Sequence, residues 1–281
     1  NSYWLLGEDI WLSNITTQQP GAGEMDMKFH FMVLGLVLIV GLCASAETDI
    51  RMTDSDWNGY VKLSFIFEGK PAFVVKPKVA APGKPWVWRM SFPDFHAEVD
   101  KELLRCGYHV AYIDCVDMLG CDEALGIMEK FRGFLLSNWN LSNKCALEAV
   151  SRGGLPAYRY AARHPGEIAC IYADTPVMDL KSWPLKRHDV VQQVKAAIAC
   201  YGFNDEAGLK AFKGNPLDLL APIAEAKIPI RHVVSLNDKV VPPEENTFEA
   251  QRRFEKMGHE IDIVAVKEGN ECGGHHFPLP E

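Results

Sequence analysis

The chain has 281 residues, 48% hydrophobic and 23% charged, with 22 Gly and 17 Pro. That balance excludes disorder, collagen and a coiled coil, and it supplies enough core to fold without a metal. Its 37 acidic residues against 29 basic ones give a formal charge of -8, which argues against a general polyanion-binding surface and so against a nucleic-acid partner, while leaving room for a local basic pocket.

From the N-terminus, Lys28 is followed by a nearly unbroken apolar run from Phe29 to Leu42 and then by Ala44-Ser45-Ala46. This is the charged, apolar, small-residue order of a secretory signal peptide, with cleavage expected after Ala46 and a secreted or periplasmic product. The run is about 14 residues, short of the roughly 20 that span a bilayer as a helix, so no stable membrane anchor is expected. Met25 and Met27 stand where such a leader starts. Residues 1–24 are therefore read as an upstream, non-native segment, 25–46 as the leader, and 47–281 as one domain of about 235 residues without internal repeats.

Seven of the eight cysteines (Cys106, Cys115, Cys121, Cys145, Cys170, Cys200 and Cys272) fall in that domain. An odd number leaves at least one thiol unpaired, and export would allow the rest to pair. Cys115 and Cys170 lie in or beside apolar runs, where a buried free thiol is expected. No C-x-x-C pair or zinc-spaced histidine cluster is present, and the adjacent His275-His276 pair is poorly placed to share an ion, so neither a metal nor another cofactor is expected.

The pattern predicts a hairpin of Val61 to Phe67 and Ala72 to Lys76 around Glu68-Gly69-Lys70-Pro71. Strand and helix then alternate: strand Pro85 to Met90, helix His96 to Cys106, strand Tyr108 to Ile113, helix Asp122 to Trp139, strand Ala146 to Val150, helix Gly154 to Arg163, strand Ile168 to Ala173. Strands Pro229 to Ser235 and Ile261 to Val266 flank a helix from Glu244 to Met257. Antiparallel strands followed by strand-helix units imply an α/β fold with a mostly parallel sheet, helices on both faces and ligands at the carboxyl ends of the strands. The less regular stretch from Thr175 to Ile228 reads as a small cap insertion over that end.

The chemistry concentrates in three segments. Ala149-Val150-Ser151-Arg152-Gly153 joins a strand directly to a helix, where a serine held in a tight turn needs small neighbours two residues away. The competing reading is a helix-capping serine. Asp238 follows an apolar strand and precedes Val240-Val241-Pro242; by itself it could be a turn-forming Asp. Gly273-Gly274-His275-His276 follows the last predicted strand.

The first segment resembles the G-x-S-x-G nucleophile elbow of the α/β-hydrolases, with Ala149 in place of the first Gly, and the three segments follow that family's order of Ser, Asp, His. The resemblance implies Ser151 as nucleophile, Asp238 as acid and His275 as base, with His275 favoured over His276 because Gly274-His275 matches the family's Gly-His. It implies an oxyanion site built from the N–H of Arg152 and a second N–H from the loop after the third strand of the family's sheet, here Arg89 or Met90. At that loop lipases and most esterases resemble H-G or H-G-G-G, whereas this chain has P-W-V-W-R-M.

The S-R-G-G elbow, the W-V-W-R strand and Y-A-D-x-P-V-x-D-x-K-S-W-P together resemble a group of exported bacterial serine hydrolases of esterase type, over roughly residues 60 to 277. An arginine beside the nucleophile also resembles the glucuronoyl esterases. Arg89 and Arg152 near one serine, with Trp88, Trp183 and His276 at the mouth, would suit a sugar ester or an anionic substituent. A small-molecule or carbohydrate ester is therefore the expected substrate. The alternatives are a serine peptidase of prolyl-oligopeptidase type and an inactive binding protein on the same fold. A dienelactone-hydrolase-like enzyme would be expected to carry Cys where this chain has Ser151. The fold usually adds a helix after the histidine loop, so a missing C-terminal helix is a further expectation.

Overall fold

The computed structural model describes residues 50–187 and 189–278; the expected leader at 25–46 and the segment before it lie outside the described residues. The chain opens with an antiparallel meander of β1 (Thr53–Trp57), β2 (Tyr60–Phe67) and β3 (Lys70–Lys76). The first of these strands is short, polar and exposed, and lacks the apolar alternation that would reveal it. The β2–β3 turn is shorter than its composition suggests. Glu68 and Gly69 both take left-handed φ (+47° and +74°), as a two-residue hairpin requires, and Lys70 and Pro71 already belong to β3.

Six further strands run parallel: β4 (Trp86–Arg89), β5 (His109–Ile113), β6 (Cys145–Val150), β7 (Ile168–Asp174), β8 (Ile230–Ser235) and β9 (Asp262–Val266). The sheet order is β1-β2-β3-β5-β4-β6-β7-β8-β9, with β3 antiparallel to β5. Register divides the chemistry between the faces. Trp88 pairs laterally with Ala111 and Leu147, and the row continues through Ile171 and Ile230. This apolar row lies under α2 (Asp122–Trp139) and α3 (Gly154–Arg163), where the Trp88 ring meets Phe131 at 5.8 Å and Tyr160 at 5.1 Å. One residue further along, Tyr112, Arg89, Glu148, Tyr172, Arg231 and Asp262 form a polar row on the opposite face, and Asp100 of α1 (Glu98–Arg105) reaches down to it. Phe131 is fully buried, so truncating it to Ala should cost about 3–5 kcal/mol.

Between β7 and β8 the chain forms the cap, with α4 (Val191–Cys200), α5 (Glu206–Ala211) and α6 (Ala221–Glu225). Its core joins Leu180, Trp183, Ala197 and Leu209 to Leu119, Leu155 and Val241 of the main body. Arg159 of α3 fixes it from below, with its guanidinium 5.2 Å from the Tyr201 ring and 5.6 Å from that of Phe212, while the Tyr201 hydroxyl donates to Leu119 O at 2.8 Å.

The helix expected from Glu244 is interrupted. A short turn at Pro243–Glu245 precedes α7 (Thr247–Lys256), because Asn246 leaves helical geometry and its Oδ1 accepts from Met178 N–H (2.8 Å) and Ser182 Oγ (3.0 Å). Cys115 and Cys170 are buried free thiols, and burial pushes the Cys170 thiol up to about 12. Among the described residues, no helix is long and apolar enough to cross a membrane.

Candidate active site

At the carboxyl end of β6 the backbone turns from strand to helix within one residue. Ser151 has φ +52°, a conformation that a side-chain-bearing residue adopts only under constraint. The constraint is close packing. A Cβ on Gly153 would lie 2.2 Å from Ser91 Oγ, and one on Gly154 would lie 2.6 Å from Val177 O. Ala149 is fully buried beneath the turn, so a methyl group is tolerated at the place where the elbow pattern has Gly.

Two loops converge on that serine. His275 Nε2 is 2.9 Å from Ser151 Oγ, and His275 Nδ1 is 2.6 Å from Asp238 Oδ2. The three side chains form one hydrogen-bonded chain, with both Asp238 and His275 buried. Asp238 Oδ1 accepts from Val240 N–H (2.7 Å) and Val241 N–H (2.9 Å). The turn-forming role open to an Asp after a strand is thus present as well, using one carboxylate oxygen and leaving the other for the histidine. Asn237 clamps the histidine loop: its Oδ1 accepts from Gly269 N–H at 2.8 Å and its Nδ2 donates to Gly269 O at 3.1 Å.

The neighbouring His276 goes elsewhere. Its Nδ1 is 3.3 Å from Asp174 Oδ1 and 3.5 Å from Thr175 Oγ1, and the Phe95 ring packs edge-on at 4.9 Å. It is 4% exposed and is tied to the ends of β7 and the β4 loop, so the expectation that it lines the substrate mouth gives way to a packing role. Thr175, 2% exposed, has φ +44°, a rare conformation for a β-branched residue, and it too sits at this end of the sheet.

Several expected site residues lie in the core. Trp88 is 1% exposed and packs under α2 and α3, because alternation along β4 points it to the apolar face. Trp183 is buried within the cap cluster. Neither indole lines a mouth. Arg89 is paired on both sides within the sheet, to Tyr112 and Glu148, so its amide points in the sheet plane. Met90 N–H donates to Glu148 O at 2.9 Å. Neither amide is available to an oxyanion.

Ser91 and Phe92 come next in the chain. Neither N–H has a hydrogen-bond partner among the described residues, and Ser91 Oγ ties the loop to the elbow by donating to Val150 O at 2.6 Å. Sequence reasoning passed over these two residues, since nothing in Ser91-Phe92-Pro93 distinguishes it from an ordinary loop. Arg152 follows Ser151, with its guanidinium engaged by Asp117 (2.9 Å) and lying 5.0 Å from the Phe92 ring.

The architecture is that of the α/β-hydrolase fold. No family model matches the chain, and no curated protein matches it. Solved structures do. Acetyl xylan esterase 1 of a Thermoanaerobacterium species is 16% identical, with 83% of each chain covered and a TM-score of 0.54. MPT51 of Mycobacterium tuberculosis is 14% identical with a TM-score of 0.56, over 73% of this chain and 87% of that one. An acylaminoacyl peptidase in complex with a peptidyl chloromethyl ketone is 15% identical with a TM-score of 0.55. There 78% of this chain is covered, but the chain spans only 37% of the peptidase's length.

Proposed function

We propose that the chain is an exported serine hydrolase that cleaves carboxylic esters through an acyl-enzyme. The observation that carries this reading is the continuous chain from Ser151 Oγ through His275 to Asp238, with separations of 2.9 and 2.6 Å. A serine hydroxyl is a poor nucleophile at neutral pH; His275 Nε2 accepts its proton as Oγ attacks the ester carbonyl, and Asp238 holds the ring and compensates the imidazolium. The carbonyl oxygen gains charge and takes hydrogen bonds from Arg152 N–H and from Ser91 or Phe92 N–H. His275 then returns the proton to the leaving alcohol, and water repeats the sequence to release the acid.

Preference for a sugar ester has less support than the sequence alone suggests. Trp88, Trp183 and Arg89 lie in the core, which leaves Arg152 as the residue favouring an anionic or sugar substituent. Export rests on the Phe29–Leu42 run and Ala44-Ser45-Ala46. The test compares wild type with Ser151→Ala on p-nitrophenyl acetate, acetylated xylan, a uronate ester and a peptide p-nitroanilide. Ester turnover that Ser151→Ala removes supports the proposal. Turnover confined to the anilide favours a peptidase, and no turnover with any substrate favours a binding protein.

A further inference from the structure

One guanidinium lies behind the site without touching it. Arg89, 1% exposed, donates through Nε to Ser91 O (3.1 Å) and through Nη2 to Phe92 O (3.0 Å) and Phe95 O. Its Nη1 donates to Asp100 Oδ2 (2.6 Å) and Glu148 Oε1 (2.8 Å). Three carbonyls of a single short loop therefore converge on one side chain. That loop is strained: Phe92, Asp94 and His96 all have left-handed φ, at +47°, +75° and +51°.

The loop touches the site at three places. Ser91 packs against Gly153 of the elbow, Phe92 lies against Arg152, and Phe95 lies against His276. Ser91 O shares its peptide plane with Phe92 N–H, so holding that carbonyl on Arg89 fixes the direction of this N–H beside the elbow, while the Phe92 and Phe95 carbonyls pin the rest of the loop. Asp100 and Glu148 hold the guanidinium in turn. Burial, followed by the neighbouring Asp100, pushes the Glu148 carboxyl well above its ordinary value despite Arg89.

We infer that Arg89 is a positioning residue for the reaction at Ser151: its guanidinium preorganises the Ser91–His96 loop so that the loop's amides meet the charge developing on the ester oxygen. The inference rests on the hydrolase reading and adds to it a requirement that the triad alone does not impose. Lysine retains the charge but has no planar fork, so it cannot reach several carbonyls and two carboxylates at once.

The test measures p-nitrophenyl acetate hydrolysis and phenylboronic acid inhibition, a mimic of the tetrahedral intermediate, in wild type, Arg89→Lys and Asp100→Asn. Arg89→Lys should lower kcat about 10²-fold, the order of one lost oxyanion donor, with KM nearly unchanged and boronate affinity falling in parallel with kcat/KM. Asp100→Asn, which loosens one anchor of the guanidinium, should show the same pattern at about ten-fold and serves if Arg89→Lys does not fold. Phe254→Leu, a core change in α7 far from the loop, controls for stability: it should lower Tm without moving boronate affinity.

Unchanged kcat and boronate affinity in the folded Arg89→Lys or Asp100→Asn protein would overturn the inference while leaving the hydrolase reading intact. So would a rate loss without loss of boronate affinity. A wild-type protein that neither hydrolyses the ester nor binds the boronate would remove the hydrolase reading and this inference with it.

Discussion

Two histidine–aspartate pairs stand side by side at the carboxyl end of the sheet, contributed by adjacent histidines whose rings are 4.0 Å apart. His275 meets Asp238 at 2.6 Å and reaches Ser151, whereas His276 meets Asp174 at 3.3 Å and turns into the packing around Phe95 and His96. Residue type does not separate the pairs, and neither does burial. The difference lies in the anchoring of the carboxylate and the third partner. Asp238 is held by two backbone N–H groups of its own turn, which aims its free oxygen at the histidine. Asp174 ends a strand whose next residue, Thr175, is itself strained.

The two histidines should differ most. His275→Ala should lower kcat at least about 10⁴-fold in ester hydrolysis, whereas His276→Phe, which keeps a ring against Phe95, should cost less than the roughly 10²-fold lost with a general base. Comparable losses in the two variants would remove the distinction. The carboxylates sharpen it. Asp238→Asn should lower kcat about 10⁴-fold while leaving KM close to wild type, because the amide favours the wrong imidazole tautomer. Asp174→Asn should change kcat by less than about ten-fold.

A third buried histidine gives the smallest effect and a reference for both pairs. His232 lies between the Tyr158 hydroxyl (2.5 Å) and Thr247 Oγ1 (2.8 Å), with no carboxylate partner, and burial pushes it down to about 3. The native protein keeps this ring neutral where the unfolded chain, at its ordinary value of 6.5, binds a proton. Stability from this site is therefore full above that value and falls with pH by about 1.4 kcal/mol per unit toward the native value. Urea unfolding at pH 7, 6 and 5 should show a shallower acid-side loss for His232→Gln than for wild type.

The parallel strands and the elbow were legible because local chemistry dictates them. The β6 run is apolar but for Glu148, and only small residues fit at Ala149, Gly153 and Gly154, so the pattern and the geometry agree. Asp238 was legible for a similar reason, since a strand followed by a turn leaves few places for a side-chain acceptor. Trp88 and Arg89 were misread because a motif fixes chain position and leaves open the face of the sheet, and Trp183 because the cap core that buries it is assembled from distant segments. Trp88 and Arg89 are adjacent in β4, and alternation buries one under α2 and α3 and the other against α1. Ser91 and Phe92, the proposed second oxyanion donors, were passed over because their loop, with left-handed turns at Phe92, Asp94 and His96, is held by an Arg89 that is itself anchored to Glu148 and by Ser91 Oγ on Val150 O, contacts between segments far apart in the chain. Exchange between His275 and His276 is likewise decided by Asn237 and the Glu271–His276 bridge, which set the twist of the loop.

In the proposed reaction Ser151 is an activated nucleophile. Its most direct test is incubation with a fluorophosphonate at neutral pH, followed by intact-mass and peptide mass spectrometry. One covalent adduct is expected on the peptide carrying Ser151, absent in Ser151→Ala and strongly slowed in His275→Ala but not in His276→Phe. An unmodified Ser151 in folded wild-type protein, or an adduct that persists in Ser151→Ala, would contradict it.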